Sequence, residues 1–128
     1  MGRVAKTFAE LDVYQLARDV QRRVFDLSKG FPREETYALA SQIRRSSRSV
    51  GANLAEAWAK RRYPAHFSSK LCDAAGECNE TWHWLDTVSE LEYAGAEATD
   101  EIKDMAMHCG AMIEKMIDDA ETWCRGRL

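Results

Sequence analysis

Five arginines in one predicted helix are the residues best suited to chemistry, and their chemistry is phosphate binding. Arg44 and Arg48 are four residues apart and therefore share one helix face, with Arg45 beside them. An arginine side chain can donate two parallel hydrogen bonds to a phosphate, and phosphate contacts supply most sequence-independent affinity for nucleic acid. The candidate nucleic-acid-binding residues are therefore Arg44, Arg45, Arg48, Arg61 and Arg62.

The same cations could instead have a structural role. The net charge of −3 argues against a globally basic nucleic-acid binder. Residues 41–62 contain six cations and one acid, for a charge of +5, whereas residues 97–124 contain two cations and eight acids, for a charge of −6. Such asymmetry can orient a partner, or it can let helices of one or several chains neutralise each other.

Glu80 and His83 form a Glu-x-x-His motif of the kind that di-iron bundles use. Those sites need two such motifs and two further glutamates, and this chain has a single motif. A metal-binding or redox bundle centred on these residues is therefore a distant hypothesis, and we expect no metal. Motifs for nucleophilic serine, phosphate-loop and zinc-protease chemistry are missing, so we also expect no enzyme activity, cofactor or small-molecule substrate.

A polar group flanks the apolar stripe of the same helix. Asn53 and Glu56 are three residues apart, with Ser49 on the same side. A carboxylate and an amide could form a catalytic pair. Polar groups in such positions more often hydrogen-bond between helices and fix their register, so we interpret Ser49, Asn53 and Glu56 as structural.

Apolar residues recur at three- and four-residue steps along most of the chain, which predicts an all-α protein. We expect one domain over residues 1–128, an antiparallel up-down-up-down four-helix bundle with helices over about 11–29, 33–62, 64–92 and 97–124. No apolar run reaches the roughly 18 residues of a membrane span, and no secretory signal is evident. With four cysteines and no CxxC spacing, free thiols and a cytoplasmic location are expected.

Two predicted helices carry apolar residues outside their core stripes. On the first helix two aromatic residues point away from the stripe, and on the third a second apolar line runs beside the main one. A helix that is apolar on two sides contacts two neighbours or another subunit. The candidate oligomer contacts are Tyr14, Phe25, Trp84, Val88 and Leu91.

Three motifs in the first half of the chain resemble the 23S ribosomal RNA intervening-sequence protein family of small bacterial proteins. They are FP-x-E-E at residues 31–35, Q-x-R-R at 42–45 and S-V-x-A-N-x-A-E at 49–56. Residues 11–17 are similar to the family start, and 75–80, which include Glu80, to its third-helix signature. The likeness covers roughly residues 8 to 120. Ala57 departs from it, because the family usually has glycine there.

The resemblance implies a four-helix bundle that assembles into a ring, a homopentamer. The family has no established biochemical role, but its fold is similar to the accessory protein of diversity-generating retroelements, which binds nucleic acid and a reverse transcriptase. We therefore expect a non-catalytic homo-oligomer that binds RNA, or a nucleic-acid–protein complex, through the second helix. The alternative is a structural or protein-interaction scaffold without nucleic-acid binding.

Overall fold

The computed structural model describes residues 5–125, which form helices and no strand. This confirms the all-α class. The α-helices are α1 (Asp12–Ser28), α2 (Leu39–Ala59), α3 (Pro64–Leu91), α4 (Ala96–Asp118) and the short α5 (Ala120–Arg125). Two 3-10 turns, Phe8–Glu10 and Arg33–Glu35, precede α1 and α2.

The four long helices pack into a helical bundle in which α2 contacts α1 and α3, and α4 contacts α3 and α1. Two apolar clusters fill the core. The first joins the beginnings of α1 and α3 to the ends of α2 and α4, and the second joins the opposite ends. Within residues 5–125 no helix combines the length and the apolar character that crossing a membrane requires. The first cluster includes Val13, Leu54, Phe67 and Ile113, and the second includes Val24, Ile43, Leu85 and Ile102.

The second helix is shorter than the predicted range of 33–62. Residues 33–35 form a 3-10 turn, and the chain enters α2 only at Leu39. The Glu35 carboxylate explains this start, because it accepts a hydrogen bond from the Leu39 backbone N–H at 3.3 Å. The same carboxylate accepts a bond of 2.8 Å from the Tyr93 hydroxyl, which ties this turn to the loop after α3.

The other helix ends lie close to the predicted ones, with one interruption. Tyr63 is extended at the corner before Pro64, as expected for a residue that precedes proline. Proline occupies the first turn of α3, where its missing N–H is not needed. The helix predicted over 97–124 is broken at Asp119, so that α4 and α5 are separate helices.

Candidate nucleic-acid interface

Arg45 is neutralised inside the chain by two carboxylates of α3. Its Nη1 donates to Glu77 Oε2 at 2.9 Å, and its Nη2 donates to Glu80 Oε2. The hydrogen bond with Glu77, and then that with Glu80, raises the pKa of Arg45 above its ordinary value. Arg45 therefore ties α2 to α3, and its charge is largely compensated within the fold.

Glu80 also accepts a hydrogen bond from Trp84, next to its contact with Arg45. Trp84 Nε1 donates to Glu80 Oε2 at 3.1 Å. Burial alone would raise the pKa of Glu80, but the hydrogen bonds from Trp84 and Arg45 outweigh it and hold that pKa below its ordinary value. His83 meets the Trp84 ring edge-on at 4.7 Å. In residues 5–125 no three His, Cys, Asp or Glu side chains are grouped so that they could hold a metal ion.

Arg44 and Arg48 are arranged quite differently, because both lie over the Phe25 ring of α1. Their guanidinium carbons are 4.8 and 5.8 Å from the ring centroid, and Lys29 Nζ is 4.7 Å from it. Arg44 Nε also donates to Ser28 Oγ at 2.7 Å. Among the described residues neither arginine forms an ion pair with a carboxylate. Their charges are therefore oriented without being neutralised.

These two arginines open onto a groove of about 600 Å³ along the outer face of α2. At one end of this groove stands Tyr37, whose side chain is 95% exposed. The groove thus combines guanidinium groups, hydroxyl groups and an accessible aromatic ring. Its lining comprises Thr36, Tyr37, Ser41, Arg44, Arg45, Arg48, Ser49 and Ala52.

The remaining two candidate arginines lie at the other end of α2. The Arg61 guanidinium stacks on Trp58 at 3.3 Å from the ring centroid, and its Nε donates to the Trp58 carbonyl at 2.9 Å. Arg62 is exposed and lines a second cavity of about 380 Å³ together with Lys60, Tyr63 and His66. This second basic patch is distinct from the groove that contains Arg44 and Arg48.

The polar residues on the flank of α2 divide into two kinds. Ser49 Oγ donates to the Arg45 carbonyl, and Asn53 Nδ2 donates to the Ser49 carbonyl, each at 2.9 Å. These two bonds stay within α2 and do not link helices. Glu56 does reach α3, where Lys70 Nζ lies 3.0 Å from its Oε2 and the hydrogen bond raises the pKa of Lys70.

Val88 does not lie on a surface, so its prediction as an oligomer contact is wrong. It is fully buried with Leu85 in the second core cluster. The core face of α3 runs through Thr81, Leu85 and Val88, and Trp82, the residue after Thr81, is exposed.

The other four candidate contacts have different surroundings. Tyr14 is half-buried against Phe8, with ring centroids 5.0 Å apart, and Trp84 is half-buried over Glu80. Phe25 and Leu91 are exposed, and Phe25 carries the cations described above. Tyr37 is absent from the sequence-based candidates, although its spacing of four residues from Ser41 and seven from Arg44 could have indicated it.

The chain matches the family model described as 23S rRNA-intervening sequence protein over residues 9–115. It is also similar to a crystal structure of a protein with unknown function from the S23 ribosomal protein family of Bacteroides thetaiotaomicron VPI-5482. That similarity has a TM-score of 0.74 and 29% identity, and it covers 82% of this chain and 97% of the other. A search of curated proteins gave no match. Because the family model matches most of its length, the chain belongs to the 23S rRNA-intervening sequence protein family.

Proposed function

We propose that this protein is a non-catalytic homo-oligomer that binds RNA, alone or within a nucleic-acid–protein complex, through the outer face of α2. One observation carries the proposal. Arg44 and Arg48 are held over Phe25, form no ion pair within the described chain and open into the groove beside Tyr37. A guanidinium without a carboxylate partner can direct its N–H groups to a phosphate.

The local electrostatics support an anionic ligand. Arg44 and Arg48 lie within 5.8 Å of the centroid of one ring, together with Lys29, whose Nζ is also 3.6 Å from the Asp26 carboxylate. Stacking on an aromatic face orients these cations and leaves their charge in place. A phosphate bound between them would relieve their mutual repulsion. The family is named for intervening sequences of 23S rRNA, which makes such RNA the first ligand to test.

The experiment measures RNA affinity as a function of salt concentration for wild type, Arg48→Ala and Arg45→Ala. The two variants are matched, because each removes one cation from the same stretch of the same helix. We expect Arg48→Ala, and more strongly Arg44→Ala/Arg48→Ala, to weaken binding and to reduce the salt slope by about one for each phosphate that is no longer bound. Arg45→Ala should preserve the slope, because Glu77 and Glu80 already compensate Arg45.

Two outcomes would contradict RNA binding through this face. The first is a wild-type protein that shows no salt-dependent affinity for any RNA tested. The second is an Arg45→Ala variant that loses as much slope as Arg48→Ala. Arg62→Ala then asks whether bound RNA extends to the second basic patch at the far end of α2.

We also infer that the four long helices run up-down-up-down. The composition of the two core clusters supports this order, because each cluster joins alternate ends of successive helices. Residues 60–63 and 92–95 make connections of four residues, and short connections favour antiparallel neighbours.

Exposed apolar side chains support assembly into a homo-oligomer, for which we propose a pentamer. Trp82 and Met107 are exposed and line a groove of about 190 Å³ between α3 and α4, beside the small residues Ala75 and Ala111. Light scattering should give a mass of about five times the chain mass of 14.6 kDa. A mass of one chain would refute assembly.

The same groove favours a second candidate function, a structural or protein-interaction scaffold that binds no nucleic acid. In that case the α3–α4 groove would be the surface that contacts protein partners, and the arginines of α2 would only keep their own face solvated. An oligomeric protein without salt-dependent RNA affinity would favour this function over the first.

A cytoplasmic location is part of the proposal. The four cysteines are free thiols, and thiols stay reduced where glutathione and thioredoxin are present. Fractionation of expressing cells should recover the protein with cytoplasmic markers. Recovery with periplasmic or membrane markers would contradict this location.

A further inference from the structure

Tyr37 is an aromatic ring that the fold holds in solvent. It stands in the turn between the 3-10 turn Arg33–Glu35 and α2, and its 95% exposure exceeds that of every other large apolar or aromatic side chain in residues 5–125. The turn itself is anchored, because the neighbouring Glu35 bonds both the Leu39 N–H and the Tyr93 hydroxyl. The ring therefore projects from a fixed base.

The ring shares a groove with the two uncompensated arginines. Ser41, Arg44 and Arg48 recur at three- and four-residue steps on one face of α2, and Tyr37, in the turn before the helix, lines the same groove. Arg44 and Arg48 are separated by one helical turn, about 6 Å along the axis. A ligand in the groove can therefore touch the aromatic ring and two guanidinium groups at the same time.

From this juxtaposition we propose that the groove takes single-stranded RNA, with an unpaired base stacked on Tyr37 and adjoining phosphates on Arg44 and Arg48. The inference rests on the proposed function and specifies the form of RNA. Stacking on a protein ring requires a base that is not already paired and stacked in a duplex. A duplex could meet the arginines, but it would leave the Tyr37 ring unused.

The hydroxyl groups of the groove fit the same ligand. Thr36, Ser41 and Ser49 line it together with the ring and the arginines. Hydroxyl groups can donate to and accept from base edges and ribose 2′-hydroxyls, which are exposed in an unpaired strand. The groove thus offers a ring for a base, hydroxyls for sugar and base edges, and guanidinium groups for phosphates.

The test compares a 12-nucleotide RNA without self-complementarity with the same RNA annealed to its complement. Wild type should bind the single strand more tightly than the duplex. Tyr37→Ala should weaken single-strand binding roughly 5- to 150-fold, the loss typical of one stacked base, and change duplex binding less than about twofold. Tyr37→Phe should bind the single strand nearly as wild type does, because its ring still stacks.

Three binding results would overturn the inference while leaving RNA binding itself intact. They are a wild type that prefers the duplex, a Tyr37→Ala variant with unchanged single-strand affinity, and a Tyr37→Phe variant that loses as much as Tyr37→Ala. A lower mass of Tyr37→Ala in light scattering would also overturn it, because a second copy would then cover the ring. If wild type binds neither RNA with salt dependence, the proposed function fails as well.

Discussion

Arg45→Ala is expected to lower the free energy of unfolding by about 1–2 kcal/mol, because it removes one cation from two carboxylates. The side chains of Arg45, Glu77 and Glu80 are 47%, 19% and 34% exposed, so solvent screens these pairs only in part. Exposed ion pairs contribute about 0.2–1 kcal/mol each. The variant also leaves Glu77 and Glu80 as like charges one turn apart, which adds about 0.2–0.5 kcal/mol.

A double-mutant cycle isolates the contact between Arg45 and Glu80. Glu80→Gln keeps an oxygen that can accept the Trp84 Nε1–H bond but loses the negative charge. We expect the two changes to be non-additive, with a coupling energy of about 0.5–1 kcal/mol. Urea unfolding, followed by circular dichroism at one fixed protein concentration, measures all four corners of the cycle. A coupling energy of zero would refute the role assigned to this pair.

The pH dependence of stability gives a second check on Glu80, because the direction of the change can be stated. The folded pKa of Glu80 lies below its ordinary value of 4.5, so its ionised form stabilises the fold above that value. The stability difference between wild type and Glu80→Gln should be full at pH 7 and should disappear as the pH falls through the folded pKa. A difference that grows in acid would contradict the assignment. Arg48→Ala is the matched control for the stability of Arg45→Ala. Its exposed contact with Phe25 predicts that the free energy of unfolding falls by about 0.5 kcal/mol at pH 7.

Three further predictions concern particular side chains. Gly76→Ala should raise the free energy of unfolding by about 1 kcal/mol in thermal melts, because a Cβ at this position of α3 meets nothing within 4 Å; no gain would contradict the open site. Thr81→Val should lower it by about 1 kcal/mol in urea, because the buried 2.9 Å bond to Ser46 is removed, and full stability would show that this bond contributes nothing. A thiol reagent should modify the exposed Cys72 at once, and the remaining cysteines only after unfolding, because the reagent cannot reach a buried thiol. Rapid modification of more than one cysteine in the folded protein would contradict the burial of Cys78, Cys109 and Cys124.

The four long helices could be predicted because they depend on the local periodicity of apolar residues. The start of α2 could not be predicted from such spacing. Pro32 followed by two glutamates fits the first turn of a long helix as well as it fits a 3-10 turn. The choice is made by Glu35, whose carboxylate bonds Leu39 nearby and Tyr93, which is 58 residues away in sequence. A contact of that separation leaves no trace in the spacing of the residues around it.

The core face of α3 could not be predicted from spacing either, for a related reason. Apolar residues surround this helix, with Trp82 and Trp84 on different sides, so spacing alone does not fix the direction of its core face. A tryptophan is the natural choice for a core position, and Thr81 is not. The structure buries Thr81 because its hydroxyl bonds both Ser46 on α2 and the Glu77 carbonyl. With Thr81 inside, Val88 is buried and Trp82 is left in solvent.

The charge pattern of the sequence does not show which arginines of α2 are paired with carboxylates of another helix. The +5 charge of residues 41–62 suggests a uniformly basic helix, yet Arg45 is compensated by α3, whereas Arg44 and Arg48 are not. The difference depends on Glu77 and Glu80, which are 32 and 35 residues from Arg45 in sequence. Compensation between helices therefore removes Arg45 from the available positive charge of this stretch and leaves Arg44 and Arg48.

The basic site also depends on α1, although the sequence of α1 did not indicate a role in that site. Phe25 supplies the ring over which Arg44 and Arg48 lie, and Lys29 adds a third cation to the same ring. An aromatic side chain at this position fixes the guanidinium groups without compensating them, which a carboxylate could not do. Because one helix carries the charges and its neighbour holds them in place, the site forms only when α1 and α2 pack together.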